Sequence, residues 1–260
     1  MKSPVYIFDV WEQIERRVRR TSRLALFTDF DGTLAGIQKN PNSIRLPEKS
    51  RRLLAGLAEA GATVGVISGR RVEDIVPRVG LEGIWYSGVH GFFLRDPGGR
   101  TIAFATPVEQ ARVAAATRLL AAKLRGARRI RLERKVATLT IHCRGASPSV
   151  MESAARAVFD VAARCRLHVQ AGKRSWELLP NVTVNKWTSI RRILKLSALR
   201  ASRPYTMIYL GDDTTDENVF EHMTGISIAV GRRQKTAAKF YVHSRREAEQ
   251  FLERLLKTIA

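Results

Sequence analysis

The stretch "LFTDFDGTLAGI", residues 26–37, decides how this 260-residue chain is read. An apolar run, LALFT at 24–28, reads as a fully buried strand, because its residues are apolar on both faces. It breaks into Asp29, Phe30, Asp31, Gly32 and Thr33, so that two acids one residue apart sit where a buried strand ends. An Asp-Gly turn that merely reverses the chain would account for Gly32 alone. Two more polar knots stand at strand ends, Ser68-Gly69-Arg70 after TVGVIS (63–68) and Asp212 to Glu217 after YTMIYLGDD (205–213). Ligands of an open α/β sheet bind outside the carboxyl ends of its strands. The three knots therefore point at one crevice.

Outward from that stretch, strands and helices alternate. LPEKSRRLLAGLAEAG (46–61) predicts a helix, with Pro47 near its start and Gly61 just past its end. RVEDIVPRVG (71–80) predicts a short helix interrupted by Pro77, and GIWYSG (83–88) a third strand. This is the pattern of an α/β fold, a parallel sheet covered by helices on both faces. The pattern then changes. GFFLRDPGGRTIAF (91–104) predicts a hairpin turning at Pro97, Gly98 and Gly99. A helix over 107–125, strands in RIRLERK (129–135) and VATLTIHCR (136–144), a helix over 148–165 and strands LHVQAG (167–172) and RSWELLP (174–180) follow. Paired antiparallel strands with two helices predict an α+β unit inserted into the first domain. The expected boundaries are 1–95 with 178–260 for the core and 96–177 for the insertion. After Pro180 come a helix over 186–198, the strand from Tyr205, the strand GISIAVG (225–231) and a closing helix that Ser244 and Glu247 start as a capping box. Near the N-terminus, Val10, Trp11, Ile14 and Val18 recur at helical spacing.

Composition narrows the function classes. With 45% hydrophobic residues the chain is long enough to bury a sizeable core. No run of about 18 apolar residues predicts a membrane span, and the first twenty residues lack the apolar centre of a signal peptide. The expectation is a cytoplasmic protein with no membrane partner. Cys143 and Cys165 fall in no CxxC or Cys/His cluster, so two buried thiols are expected rather than a disulfide. The net charge of +21 draws anions. With 7% aromatic residues and no recognisable binding module, nucleic acid is not the expected partner. Seven bases crowd Lys123 to Lys135 with no catalytic role in view.

The acids at the strand ends predict a chemistry. GDDTTDE holds four acids in a basic chain, and beyond an acidic helix start it reads as a metal site. All candidate ligands are oxygen donors, which selects Mg2+. A carboxylate such as Asp29 can attack phosphorus, and an acid two residues on, Asp31, can give the leaving oxygen its proton and later activate water. Ser68 and Lys186 are the groups to hold the remaining phosphate oxygens.

DFDGT, then Ser68, then Lys186, then GDDTTD resemble in order the four motifs of the haloacid dehalogenase superfamily. Over nearly the whole chain, DFDGTLAGI, ISGR, GVHG, LERKVATLTIHCR, GKRSWELLP and YLGDDTTDENVF resemble the trehalose-6-phosphate phosphatases. That resemblance implies a Rossmann-like core with a cap, and Mg2+-dependent hydrolysis of trehalose 6-phosphate through an aspartyl-phosphate. It implies Asp29 as nucleophile and Asp31 as acid/base; Thr33, Ser68, Gly69 and Lys186 at the phosphate; and Asp29, Asp31, Asp212 and Asp213 at the metal, with Asp216 in support. For the sugar it implies Arg70, His90, Glu133, Lys135, His142, Arg144, Lys173 and Glu177. The residues alone read Glu133, Lys135, His142 and Arg144 as a solvated strand face, and His90 as a hinge, a sugar contact or a structural histidine. The expected partner is a sugar phosphate, trehalose 6-phosphate, and the expected state is a monomer with a cap that opens and closes about junctions near 95 and 178. The alternatives are the same chemistry on a sucrose-, glucosylglycerol- or glucosylglycerate-type phosphate, a polyanion-binding protein, or an inactive regulatory subunit. One departure is Trp187, where relatives carry Gly after the lysine; its ring either crowds the phosphate pocket or packs into the core.

Overall fold

The computed structural model describes residues 3–21, 23–36, 43–104, 106–134, 137–172, 174–181, 184–197, 205–231 and 235–260, and for His90, Ala103 and Gly172 the backbone alone. The chain divides into two compact units, Met1–Ile102 with Val184–Ala260, and Ala103–Thr183.

The first unit is built on a nine-stranded sheet in the order β1-β13-β12-β11-β2-β3-β4-β5-β6. Its strands are β1 (Val5–Tyr6), β2 (Arg23–Thr28), β3 (Thr63–Ile67), β4 (Trp85–Gly88), β5 (Phe93–Arg95), β6 (Thr101–Ala103), β11 (Tyr205–Gly211), β12 (Ile226–Val230) and β13 (Phe240–Val242). From β1 through to β4 the pairing is parallel. LALFT is buried on both faces as its composition requires, with Leu24 to Thr28 all inaccessible. The chain leaves β2 toward β3 and β4 on one side and returns through β11, β12 and β13 on the other. The strand order therefore reverses between β2 and β11, which lie in register from Tyr205↔Arg23 to Leu210↔Thr28. A crevice forms outside the carboxyl ends at such a switch point.

Helices supply the apolar cover. The foreseen N-terminal helix is α1 (Trp11–Arg19), which buries Ile14 and Val18. α2 (Glu48–Glu59) buries Leu53, Leu54 and Leu57, and α3 (Val72–Val79) buries Ile75 and Val79 up to the left-handed Gly80. The closing helix α8 (Arg245–Ile259) buries Phe251, Leu252 and Leu255 in the same core as Leu26, Val64, Val66 and Ile208. Its expected capping box is half formed: Ser244 accepts from the Glu247 N–H, but the Glu247 carboxylate reaches the N–H of His243 instead. β1 and β13, two and three residues long, had no sequence signal; such short edge strands are too brief to show a period.

The second unit is a four-stranded antiparallel sheet, order β7-β8-β10-β9, with β7 (Arg131–Arg134), β8 (Leu139–His142), β9 (Leu167–Gly172) and β10 (Ser175–Pro180). The helices α4 (Pro107–Lys123) and α5 (Pro148–Arg164) bury Val113, Ala116, Leu120, Val158 and Val161 against Leu139, Ile141 and Leu178. Strand alternation assigns the other residues to the opposite face: Arg131, Glu133, Thr140, His142, Ser175 and Glu177. α4 starts with a full capping box between Thr106 and Glu109.

The division of the chain falls later than the expected cuts at 95/96 and 177/178. β5 pairs antiparallel with β4, Tyr86 opposite Arg95, so the hairpin extends the main sheet. β10 lies inside the second sheet, between β8 and β9, so the insertion runs on past Pro180. Both cysteines are buried free thiols. Among the described residues no helix is long and apolar enough to cross a membrane.

Candidate active site

The site is assembled where β2 and β11 end. Asp29 continues β2, donating its N–H to the Leu210 carbonyl at 2.9 Å. The chain then folds on itself, with the Leu34 and Ala35 N–H groups donating to the Phe30 carbonyl and the Gly32 N–H to that of Ala35. Gly32 has φ +89°, and a Cβ there would collide with the Asp212 carboxylate. Glycine is thus required twice at this position, for backbone conformation and for the approach of β11. Gly211, one residue before Asp212, is required for a similar reason: a Cβ would strike the Asp216 carboxyl group.

Lys186, the first residue of α6 (Lys186–Leu196), is buried. Its Nζ lies 2.8 Å from Asp29 Oδ1 and 2.6 Å from Asp216 Oδ1. Asn185 fixes the start of α6 by accepting from the Thr188 N–H at 2.9 Å. Asp216 is fully buried and accepts at both oxygens, from Lys186 and the Tyr209 hydroxyl at Oδ1 and from the Asp213 N–H at Oδ2. Asp29, Asp212 and Asp216 each place a carboxylate oxygen within 4.8 Å of the others.

Burial sets the electrostatics. It pushes the Asp29 carboxyl up to about 8, against the nearby Lys186 ammonium and with the help of Asp216 and Asp212. Burial pulls Lys186 down, but Asp29 and Asp216 outweigh it and hold the ammonium above its usual range. Asp212 is raised by burial, against the hydrogen bond from Thr33. The Tyr209 hydroxyl is raised well above normal by burial and by the Asp216 charge.

This arrangement fits a divalent cation. Three carboxylates share one ammonium, so the cluster carries negative charge in excess in a largely buried place. The donors are all hard oxygens, as Mg2+ prefers. Both oxygens of Asp216 are already engaged, which leaves Asp29 and Asp212 as the acids to hold the ion directly.

The foreseen residues divide. Asp29, Lys186 and Asp212 come together. Asp213, expected at the metal, stands outside the cluster, because its Oδ1 accepts from the Thr214 N–H and caps the 3-10 turn Thr214–Asp216. Asp216 takes the inner place, and its signal was the spacing of an acid three residues after a capping Asp. Thr33 donates to Asp212 Oδ1 at 2.8 Å. Ser68 is buried beyond β3, and Gly69 follows it in the turn; the Ser68 Oγ accepts from the Arg70 N–H at 3.1 Å. The Asp31 side chain lies with Arg70, which donates from Nε at 2.7 Å and from Nη2 at 2.6 Å. The His90 backbone forms part of the 3-10 turn Val89–Gly91. The Trp187 ring stacks on His222, centroids 6.3 Å apart, at the end of α7 (Glu217–His222).

In the second unit, the register sets Glu133, Thr140 and Glu177 abreast on β7, β8 and β10. His142 Nε2 lies 2.7 Å from Glu133 Oε2, and Thr138 donates to Glu177 at 3.0 Å. Arg144 is exposed just beyond β8. Lys135 and Lys173 lie outside the described residues. Of the seven clustered bases, Lys123 pairs with Asp160 at 3.1 Å and Arg131 with Glu133 at 3.5 Å.

A parallel sheet with acids at its switch point, a lysine opposite them and an inserted α+β unit defines the fold of the haloacid dehalogenase-like hydrolases. A protein of that description from Bacteroides thetaiotaomicron superposes with a TM-score of 0.68 at 16% identity over 90% of this chain and all of its own. The trehalose-phosphatase family matches residues 27–253, and the chain belongs to that family. It is 34% identical over 246 residues to the trehalose-phosphate phosphatase of Mycobacterium tuberculosis, covering 90% of this chain. The chain spans 62% of that relative's length. An Aspergillus fumigatus trehalose-6-phosphate phosphatase structure matches with a TM-score of 0.71 and 26% identity, covering 99% of this chain and 100% of the other.

Proposed function

We propose that the chain hydrolyses trehalose 6-phosphate to trehalose and phosphate, with Mg2+ as its cofactor. The carrying observation is the Lys186 ammonium held between Asp29 and Asp216 at the switch point, with Asp212 within reach of both. Membership of the trehalose-phosphatase family supports the substrate.

In this reading an Asp29 oxygen bonds to phosphorus as the bond from phosphorus to the sugar oxygen breaks, and Asp31 gives that oxygen a proton. Lys186 and Ser68 bind the equatorial phosphate oxygens. Water then attacks phosphorus, Asp31 takes its proton, and the bond to Asp29 breaks to release phosphate. Mg2+ held by Asp29 and Asp212 would screen the charge of the nucleophile from that of the phosphate. The polar face of the second unit, with Glu133, His142 and Glu177, together with Lys135, Arg144 and Lys173, supplies sugar contacts. Two buried thiols suit a reducing compartment, and we place the protein in the cytoplasm, acting as a monomer.

Phosphate release from a panel of sugar phosphates tests the reading. Trehalose 6-phosphate should lead the panel, and activity should vanish with chelator and in Asp29→Asn. Another sugar phosphate leading with the same dependences would overturn the substrate but keep the chemistry. No hydrolysis of any would overturn both.

A further inference from the structure

The Arg70–Asp31 pair serves a purpose that substrate binding alone does not explain. The Arg70 guanidinium donates to Asp31 Oδ2 from Nε and to Asp31 Oδ1 from Nη2, at 2.7 and 2.6 Å. This is a two-pronged fork, and it occupies both oxygens of the carboxylate. Arg70 is also bedded on the same loop: its guanidinium lies 6.0 Å from the centre of the Phe30 ring, and Phe30 is the buried residue between Asp29 and Asp31. Its own N–H is tied to the Ser68 hydroxyl oxygen. The turn after β3 therefore grips the loop after β2 at the residue read as acid and base.

An acid/base must turn one oxygen toward the leaving oxygen or the attacking water. The two prongs hold the Asp31 carboxylate aimed at Arg70, so neither oxygen swings to that position while the fork stands. We propose that Arg70 is a positioning residue that withholds Asp31 from the reaction until a sugar enters the site. The inference rests on reading Asp31 as the acid/base of the proposed reaction.

What releases the fork follows from what arrives next to it. The phosphoryl oxygens already have Lys186, Ser68 and the cation as partners. The group that arrives beside Asp31 is the ester oxygen of the alcohol being released, with its neighbouring hydroxyls. Guanidinium offers five donors and can take sugar oxygens as acceptors in place of Asp31. The pair is part-exposed, with side chains 18% and 33% accessible, so an incoming sugar can reach the guanidinium and exchange with Asp31 as its acceptor. A phosphate ester without sugar hydroxyls offers no such exchange. Arg70 thereby makes the core unit itself selective for sugar esters.

4-Nitrophenyl phosphate separates this from a plain structural role. Nitrophenolate leaves without a proton, so phosphorylation of Asp29 proceeds with Asp31 withheld. Hydrolysis of the aspartyl-phosphate still needs Asp31 to accept the proton of water, and with nitrophenolate no sugar product stays beside Arg70 to keep the fork open during that step. The natural chain should therefore release one equivalent of nitrophenolate quickly and then turn over slowly. In Arg70→Ala the steady rate should rise about tenfold, a fraction of what a positioned acid/base contributes, and the burst should shrink. Its kcat/KM for trehalose 6-phosphate should fall, collapsing the ratio between the two substrates. Arg70→Lys, which keeps the charge without the fork, should move in the same direction and serves if the alanine variant does not fold. Asp31→Asn should keep the burst and lose the steady rate. Steady turnover of 4-nitrophenyl phosphate in both Arg70 variants no faster than in the natural chain overturns the inference. Failure of the functional reading looks different: the natural chain then leaves trehalose 6-phosphate intact, whatever Arg70 does.

Discussion

Replacing Lys186 by methionine should show how the buried cluster is held. The side chain of Lys186 is 6% accessible, and its partners Asp29 and Asp216 are 7% and 0% accessible. Methionine keeps the volume of the lysine stem but removes the ammonium from between two carboxylates. Breaking a buried pair by deleting one partner costs about 3–5 kcal/mol, because the remaining charge is left uncompensated. In a protein of this size about 1 kcal/mol moves the melting temperature by roughly 2–4 °C, so a fall of about 6–20 °C is expected. Removing the second charge should return part of the loss, so the double variant Lys186→Met with Asp216→Asn should melt above Lys186→Met alone. The assay is thermal melting of the four proteins in chelator, combined as a double-mutant cycle. Additive effects of the two substitutions, or a Lys186→Met melting point within about 2 °C of the natural chain, would refute the reasoning that the ammonium is what makes the buried acids tolerable.

Four further outcomes follow from the same geometry. Without cation, folded Asp29 has a pKa of about 8 against an ordinary value of 3.8, so between those values the folded chain binds more protons than the unfolded one. Stability should then be greatest below the ordinary value and decline as pH rises through 8; melting in chelator from pH 5 to 9 checks this, and a rise over that range contradicts it. Mg2+ should displace the Asp29 proton, so its stabilising increment should be larger at pH 8 than at pH 6 in the same melts. Gly32→Ala should lose at least about 100-fold in phosphate release, since the misplacement of Asp212 reaches the reacting atoms, and unchanged activity would mean the loop yields. Trp187→Gly should cost about 1–2 kcal/mol in urea melts, through the lost ring stack and the flexible helix start, while leaving kcat within threefold; a large rise in kcat would mean that the ring crowds the phosphate after all.

The legibility of this chain in its sequence was uneven, for physical reasons. The strand LALFT and the knots at 29–33, 68–70 and 212–217 were readable because a doubly buried parallel strand has a distinctive apolar run and because charge at its end is costly without a purpose. The four-stranded second sheet was readable from paired strand runs set between two long helical segments. The hairpin at 93–103 was recognised as strands, but the sheet it joins depends on tertiary pairing, which no local pattern carries; the strand at 175–180 was read with the inserted unit it joins, and only the expected boundary at 177/178 cut through it. β1 and β13 are too short to show a pattern at all. Within the site, Asp212 and Asp213 are neighbours of the same type, and only the fold reveals that one faces Asp29 and the other caps a turn. Asp216 became visible as a central acid only when Lys186, Tyr209 and the Asp213 N–H were seen to converge on it. The fork between Arg70 and Asp31 spans 39 residues of sequence and had no signal in either motif.

The central claim is that Asp29 carries the phosphoryl group between sugar and water. Rapid acid quench of the natural chain turning over trehalose 6-phosphate with Mg2+, followed by peptide mass spectrometry, tests it most directly. The account predicts a phosphoryl group on the peptide containing Asp29, fragmenting to Asp29 itself, absent with chelator and absent in Asp29→Asn. Phosphate released at full rate with Asp29 never labelled, or a label on another residue, would contradict it.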